Sequence, residues 1–243
     1  MDVPGQTPAV GQLGFRGIRT VRRPPRNLID QLAEYAPPDL SDAMNAAHTI
    51  DPRIRPLYPL RQRVAGPAVT VAVPRGAFNI IKFGMQQTHP GDVMVINAWG
   101  ICAFAVWGGN VSKGMQRRGV AAAVIDGAAR DPEEAENVGF PVFARAQATA
   151  TPPLDGPGEV NVPVACGGVV VNPGDIIVAD ANGIVAIPPA AAAWVLRQVT
   201  ELKQRHAKLQ AILERGEVTG IDAIVDSLGK QGFAVDGEGT ARR

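Results

Sequence analysis

Pro90-Gly91-Asp92-Val93-Met94-Val95-Ile96 and Pro173-Gly174-Asp175-Ile176-Ile177-Val178-Ala179 follow one pattern, and Gly100 and Gly183 stand at the same offset from each. Pro-Gly-Asp is a turn sequence, and the unbroken apolar run behind it is a strand buried on both faces. Two short copies are too little self-similarity for a solenoid. They predict two equivalent strand starts within one β-rich body.

Working outward, the stretch between the copies predicts a helix over 111–118, a buried strand over 120–126, a helix over 131–138 and a strand from Pro141 to Arg145. Upstream, a helix over 27–35 is stopped by Pro37 and Pro38, and another over 40–47 has Ser41 or Asp42 near its N-cap. A strand over 64–74 and a helix over 78–87, ended by His89-Pro90-Gly91, complete that half. Downstream, residues 160–188 alternate strands and turns. A long helix over 190–215 turns charged from Glu201 onward, as suits packing on a neighbouring subunit. A weaker helix over 221–229 and a polar tail follow. Residues 1–27 set Arg16, Arg19, Arg22, Arg23 and Arg26 against Asp2 alone. This basic arm reads as a flexible or subunit-clasping extension in preference to a nucleic-acid contact. Three segments result: the arm (1–27), a central domain (28–215), and a C-terminal helix and tail (216–243).

Composition narrows the function. With 46% hydrophobic and 19% charged residues the chain can build a sizeable core, and at 5% aromatic content that core is aliphatic. A net charge of +1 supplies no global field for nucleic acid or an anionic membrane, so neither is expected as a partner. Two cysteines cannot form a disulfide framework or a four-thiolate zinc site. No apolar run reaches membrane-spanning length and no signal peptide is evident, which points to the cytoplasm. A Gly-x-Gly-x-x-Gly turn, a P-loop, a zinc helix and a Gly-x-Ser-x-Gly elbow are all absent.

Two segments carry candidate chemistry: Gly108-Gly109-Asn110 opening a helix, and Arg130-Asp131-Pro132-Glu133-Glu134 after a strand. Asp131, Pro132 and Glu134 fit a capping box, a purely structural role. That role leaves Arg130 unexplained. A guanidinium beside two carboxylates suits a substrate carboxylate or enolate, with Asp131 and Glu134 holding a hydrated divalent ion such as Mg²⁺. The N–H groups of Gly109, Asn110 and Val111 at a helix start form an anion site, and glycine lets a ligand approach the backbone.

Gly109, twenty residues, then Arg130-Asp131-x-x-Glu134 resembles the signature of the class II pyruvate aldolases acting on 4-hydroxy-4-methyl-2-oxoglutarate and 4-carboxy-4-hydroxy-2-oxoadipate. Proteins like the regulator of ribonuclease activity A share it. Leu40-Ser41-Asp42-Ala43, Gly66-Pro67-Ala68-Val69-Thr70, Gly139-Phe140-Pro141-Val142 and Val160-Asn161-Val162-Pro163-Val164 extend the likeness over roughly 28–215. The resemblance implies an α/β fold, an α-β-β-α sandwich of the swivelling-domain type with a long C-terminal helix, assembled as a homotrimer or hexamer with sites between subunits. It implies a lyase dependent on Mg²⁺ or Mn²⁺ that cleaves a 4-hydroxy-2-oxo acid to pyruvate and a carbonyl compound, with oxaloacetate decarboxylation through the same enolate. Asp131 would ligate the metal, Glu134 would hold its water, Arg130 would bind the pyruvyl part, and the Asn110 and Val111 amides beside Gly108 would take the carboxylate. Gly109 stands where aldolases often carry an acid, and His206 stands where an acid from a neighbouring subunit approaches. The alternative within the same resemblance is a non-catalytic ring that binds a ribonuclease or another protein.

Overall fold

In the computed structural model, residues 11–216 and 220–233 are described. The elements begin α1 (Arg26–Ala33), α2 (Pro37–Ala43), β1 (Arg55–Pro56), β2 (Val64–Ala72), α3 (Phe78–Gln86), β3 (Val93–Asn97) and α4 (Gly109–Arg117). Next come β4 (Ala122–Ala129), α5 (Pro132–Asn137), β5 (Val142–Gln147), β6 (Glu159–Val160), β7 (Val164–Cys166) and β8 (Val169–Val171). The last are β9 (Ile176–Asp180), β10 (Gly183–Ile187), α6 (Pro189–Leu213) and α7 (Ile221–Lys230).

Both Pro-Gly-Asp turns launch strands, and they do so by the same contacts. Gly91 and Gly174 take φ of 85° and 88°, the third-position geometry of a type II turn. The Asp92 N–H donates to the His89 carbonyl at 3.1 Å and the Asp175 N–H to that of Asn172 at 3.0 Å. Each aspartate then turns its Oδ2 back to accept the N–H of that same residue, at 2.7 Å for His89 and 2.8 Å for Asn172.

The launched strands flank β2, which changes partners along its length. Val64–Pro67 pair antiparallel with β9, and Ala68–Ala72 pair parallel with β3. At the change-over a Cβ on Gly66 would collide with the Gly91 carbonyl oxygen, so the residue must be glycine for space alone. The strand order is β1-β5-β4-β3-β2-β9-β10, with β6 also on β2 and β7-β8 a separate hairpin. Alternation along the strands sorts side chains into three layers. Val93, Val95, Ala122 and Val124 face Ile177, Ala179, Ile184 and Ala186 in an interior between the two sheet portions. Met94, Ile96, Ala123 and Ile125 face Ile81, Met115 and Ala135 of α3, α4 and α5. Ile176, Val178, Val185 and Ile187 face α1, α2 and the Ala192, Val195 and Val199 stripe of α6. Apolar residues on both faces of every central strand thus produce an α-β-β-α sandwich.

Two local expectations change. Pro37 and Pro38 open α2 instead of separating two helices, because proline suits the first helical turn, and Ser41 and Asp42 lie inside it instead of at its N-cap. The described part of the basic arm is fastened to its own chain. Ile18 and Arg16 exchange backbone bonds with Val160, Arg16 pairs with Glu159 at 2.6 Å, and Arg23 pairs with buried Asp92 at 2.6 Å. The chain divides into two compact units after Val199; the second contains the C-terminal part of α6, from Thr200, and α7. Among the described residues no helix is long and apolar enough to cross a membrane.

Candidate active site

Two loops converge on the C-terminal end of β4. The Val106 N–H donates to the Ala128 carbonyl at 2.9 Å and the Arg130 N–H to that of Trp107 at 3.0 Å, so 106–108 runs alongside 128–130. On the other flank the Ala148 N–H donates to the Ala129 carbonyl at 3.0 Å. Trp107 anchors the first loop: its ring stacks on Phe140 with centroids 5.8 Å apart, and its Nε1 donates to Ser112 Oγ at 2.9 Å. Gly108 is thereby set against Arg130 and Asp131. Its extended backbone suits any residue, but a Cβ would lie 2.8 Å from Asp131 Oδ2 and 3.2 Å from Arg130 Nε.

Asp131 overturns the capping-box expectation. It occupies the N-cap position of α5, yet its side chain makes no cap hydrogen bond and its backbone is left-handed, φ 57° and ψ 52°. That conformation costs an L-residue about 1–2 kcal/mol, with aspartate and asparagine best able to adopt it. The rotation carries the carboxylate across to α4, where Oδ2 accepts the Gly109 N–H at 3.0 Å. Arg130 Nε lies 3.4 Å from the same oxygen, and Arg130 Nη1 donates to the Thr149 carbonyl at 3.3 Å. Because Asp131 already uses the Gly109 N–H, the expected anion site at the start of α4 contracts to the amides of Asn110 and Val111. Glu134, exposed in the first turn of α5, covers Gly109 so closely that a Cβ there would strike its carboxylate. An acidic side chain of Glu134 therefore stands over the position where an acid was expected in sequence.

The geometry gathers Gly108, Gly109, Asn110, Val111, Arg130, Asp131 and Glu134 at one place. His206 lies exposed in α6, within the second compact unit. Beside Arg130 and Asp131 opens a pocket of about 470 Å³, whose walls include Phe78, Trp107, Thr151, Pro152 and Leu154. Sequence reasoning missed these five. Phe78 reads only as a helix start, and 149–155 has no periodicity to mark it. A smaller hollow of about 260 Å³, lined by Gln147, Ala148 and Thr149, lies on the other side of the same two charged residues.

A second charged cluster is structural. Asp126 of β4 pairs with Arg145 Nε of β5 and accepts the Gly167 N–H at 2.7 Å, and Arg145 Nη1 reaches Asp51 at 3.1 Å. Hydrogen bonds from Arg53 and then Arg145 hold the Asp51 carboxyl well below the usual range. Burial pushes the neighbouring Cys166 thiol up, so it stays protonated and inert. The partners satisfy one another and tie four segments together.

The family description RraA-like, Aldolase/RraA, matches residues 37–186. The chain belongs to the RraA-like family. A Halalkalibacterium halodurans protein provisionally named 4-hydroxy-4-methyl-2-oxoglutarate aldolase is 40% identical over 149 residues, covering 61% of this chain and 70% of that one. Among solved structures, the Streptomyces coelicolor protein RraAS2, described as an unusual member of the RNase ES inhibitor RraA protein family, superposes with a TM-score of 0.69. It shares 24% identity over 78% of this chain and 98% of its own. The RNA-processing inhibitor RraA from Thermus thermophilus superposes at 0.58 with 28% identity, covering 63% and 93%. These structures share the sandwich; the matched residues span the whole of the site around Arg130.

Proposed function

We propose that this RraA-like protein is a divalent-metal-dependent lyase that cleaves a 4-hydroxy-2-oxo acid to pyruvate and a carbonyl compound, and that oxaloacetate can lose carbon dioxide at the same site. The observation that carries the reading is Asp131: a strained backbone turns its carboxylate away from its own helix and toward Arg130 and the start of α4. A capping role would need neither the strain nor the guanidinium. The aldolase name of the Halalkalibacterium relative supports the same class of chemistry.

The donor set fits a hard, water-rich cation. Asp131 and Glu134 offer carboxylate oxygens, and among the described residues no three His, Cys, Asp or Glu side chains gather into the cage that zinc prefers. Mg²⁺ or Mn²⁺ held by Asp131, with Glu134 acting through water, would supply Lewis-acid polarisation of the 2-oxo group. The chain's own residues do the rest. The amides of Asn110 and Val111 orient the substrate carboxylate, and Arg130 donates to the oxygen that gains charge. Glu134 orients the water that takes the proton from the C4 hydroxyl. The C3–C4 bond then breaks, its electron pair forms the enolate beside Arg130, and a proton returned to C3 gives pyruvate. Assembly as a trimer or hexamer, with His206 of one subunit serving its neighbour, belongs to the same proposal.

The regulator reading rests on the likeness to the Thermus RNA-processing inhibitor. It gives no use for the Arg130–Asp131 geometry. Pyruvate release from a panel of 4-hydroxy-2-oxo acids and from oxaloacetate, with Mg²⁺, with Mn²⁺ and with EDTA, tests the choice. Metal-dependent release is expected; its absence from every compound would sink the lyase reading.

A further inference from the structure

We propose that a second site, apart from the residues around Arg130, binds a small organic anion through two or more carboxylate or phosphate groups. The inference rests on no reading of the reaction. A hollow of about 450 Å³ opens among Pro52, Arg53, Arg55, Gly100, Cys102 and Arg145, within the roughly 300–1,000 Å³ of small-molecule sites. Three of these six residues are arginines and none is an acid, so the lining is cationic. None of the six lines either hollow beside Arg130.

The charged cluster of Asp51, Asp126 and Arg145 thus has a structural half and an open half. Arg55 of β1 stands opposite Ala144 of β5, next to Arg145 in the chain. Arg53 and Arg145 converge on one oxygen, Asp51 Oδ2, at 2.6 and 3.1 Å. Pairing with Asp51 and Asp126 occupies Nε and Nη2 of Arg53 and Nε and Nη1 of Arg145. Among the described residues Arg53 Nη1, Arg145 Nη2 and every guanidinium nitrogen of Arg55 have no partner. Three guanidiniums therefore face two carboxylates, and the surplus positive charge favours a further anion. The planar forks match the paired oxygens of carboxylate and phosphate groups. An anion with two such groups can engage Arg55 and the unused donors together. The opposite wall comes from a sharp turn after β3. Trp99 and Gly100 both take left-handed backbone, φ 55° and 69°, and Gly100 is set against Arg145, with a Cβ there 3.7 Å from Nε. Trp99 is strained in that conformation, and such strain collects at ligand sites.

Cys102 reports on this hollow directly. Its thiol is exposed and donates to the Gly100 carbonyl at 3.3 Å, whereas Cys166 is buried and stays protonated. Alkylation of the assembled protein by uncharged N-ethylmaleimide is followed at Cys102 by mass spectrometry, in citrate, in glycerol 3-phosphate and in potassium chloride of equal ionic strength. Citrate or glycerol 3-phosphate should slow labelling about ten-fold at ten times its Kd. Whichever protects at the lower concentration identifies the preferred group, carboxylate or phosphate. Arg55→Gln, at an exposed position, should keep the melting temperature and raise that Kd about ten-fold, the loss of one charge-assisted contact at a solvent-exposed edge. Arg130→Gln should leave it unchanged. Labelling slowed equally by potassium chloride, unaffected by either organic anion, or absent from the free protein overturns the site. So does protection that survives Arg55→Gln undiminished or disappears in Arg130→Gln. Pyruvate release plays no part in these outcomes, so the lyase reading stands or falls separately.

Discussion

Replacing Asp131 by asparagine removes a charge and little else. Asparagine tolerates the left-handed backbone as well as aspartate does, so the φ of 57° adds no new strain. Its Oδ1 can still accept the Gly109 N–H that Asp131 now holds at 3.0 Å. The loss is the difference between a charge-assisted and a neutral hydrogen bond, about 1 kcal/mol. With the Asp131 side chain 36% exposed, solvent reduces it further. For a chain of this length that is a fall of about 2–4 °C or less in Tm. Activity should respond on another scale. If Asp131 holds the metal as proposed, its loss forfeits Lewis-acid stabilisation of several kcal/mol, roughly a thousand-fold in kcat/KM at about 1.4 kcal/mol per decade. Asp131→Ala should lose as much activity and, with a left-handed alanine, about 1–2 kcal/mol more stability. Pyruvate release at varied Mg²⁺, beside melting curves for both variants, separates the effects. Wild-type turnover by Asp131→Asn would refute the carboxylate's role, and activity that falls only in proportion to folded protein would return Asp131 to a structural one.

Arg130→Lys keeps the charge but loses the planar fork, so kcat/KM should fall roughly ten- to a hundred-fold with Tm unchanged; unaltered kinetics would remove Arg130 from the reaction. Gly109→Ala would set a Cβ 2.5 Å from Glu134 Cβ, an atom fixed to the α5 backbone, so α4 and α5 must part and the gain of up to about 1 kcal/mol in helix propensity is outweighed. Lower turnover together with a lower Tm is the expected pair, and wild-type values of both would show that Glu134 has no fixed place. The Glu159 carboxyl is held below its ordinary range chiefly by its hydrogen bond with Arg16. A depressed folded-state pKa stabilises above the unfolded value, about 4.3, and that stability is lost as pH falls through the folded one. Arg16→Gln should therefore melt lower than wild type at pH 7, with the gap closing toward pH 3; a constant gap would mean the pair is not linked to protonation.

The parts of the fold that sequence exposes are those where one residue type has one use. The paired Pro-Gly-Asp turns and the uninterrupted strands behind them are legible because only a strand with both faces covered tolerates Val93 to Ile96 without a polar break. The start of α2 is not legible, since Pro37 reads equally as a stop and as a first-turn residue. Of the site, Arg130 and Asp131 stand out because a strand end followed by a charged pair demands an explanation. What sequence hides is direction. Asp131-Pro132-x-Glu134 spells a capping box, and only the left-handed backbone shows the carboxylate leaving its own helix. The wall of Pro152 and Leu154 is hidden for a different reason: its place depends on backbone bonds to Phe78 and Asn79, more than seventy residues earlier in the chain.

The change of partners along β2 has a consequence for how the molecule comes apart. Its first half is hydrogen-bonded into β9 and its second into β3 and β6, so one continuous backbone is a rung of both sheet portions. Neither portion can unzip at that strand without releasing amides in the other, which couples their opening into one cooperative event. Thr70 adds to the coupling from inside: its Oγ1 donates to the Val162 carbonyl at 2.6 Å, and its own carbonyl accepts the Asn161 N–H at 2.8 Å. The slowest amide exchange should therefore centre on Val69 to Val71, with partial opening beginning at the outlying β7-β8 hairpin. The site at the end of β4 is thus supported by a core that stays closed until the whole sandwich opens.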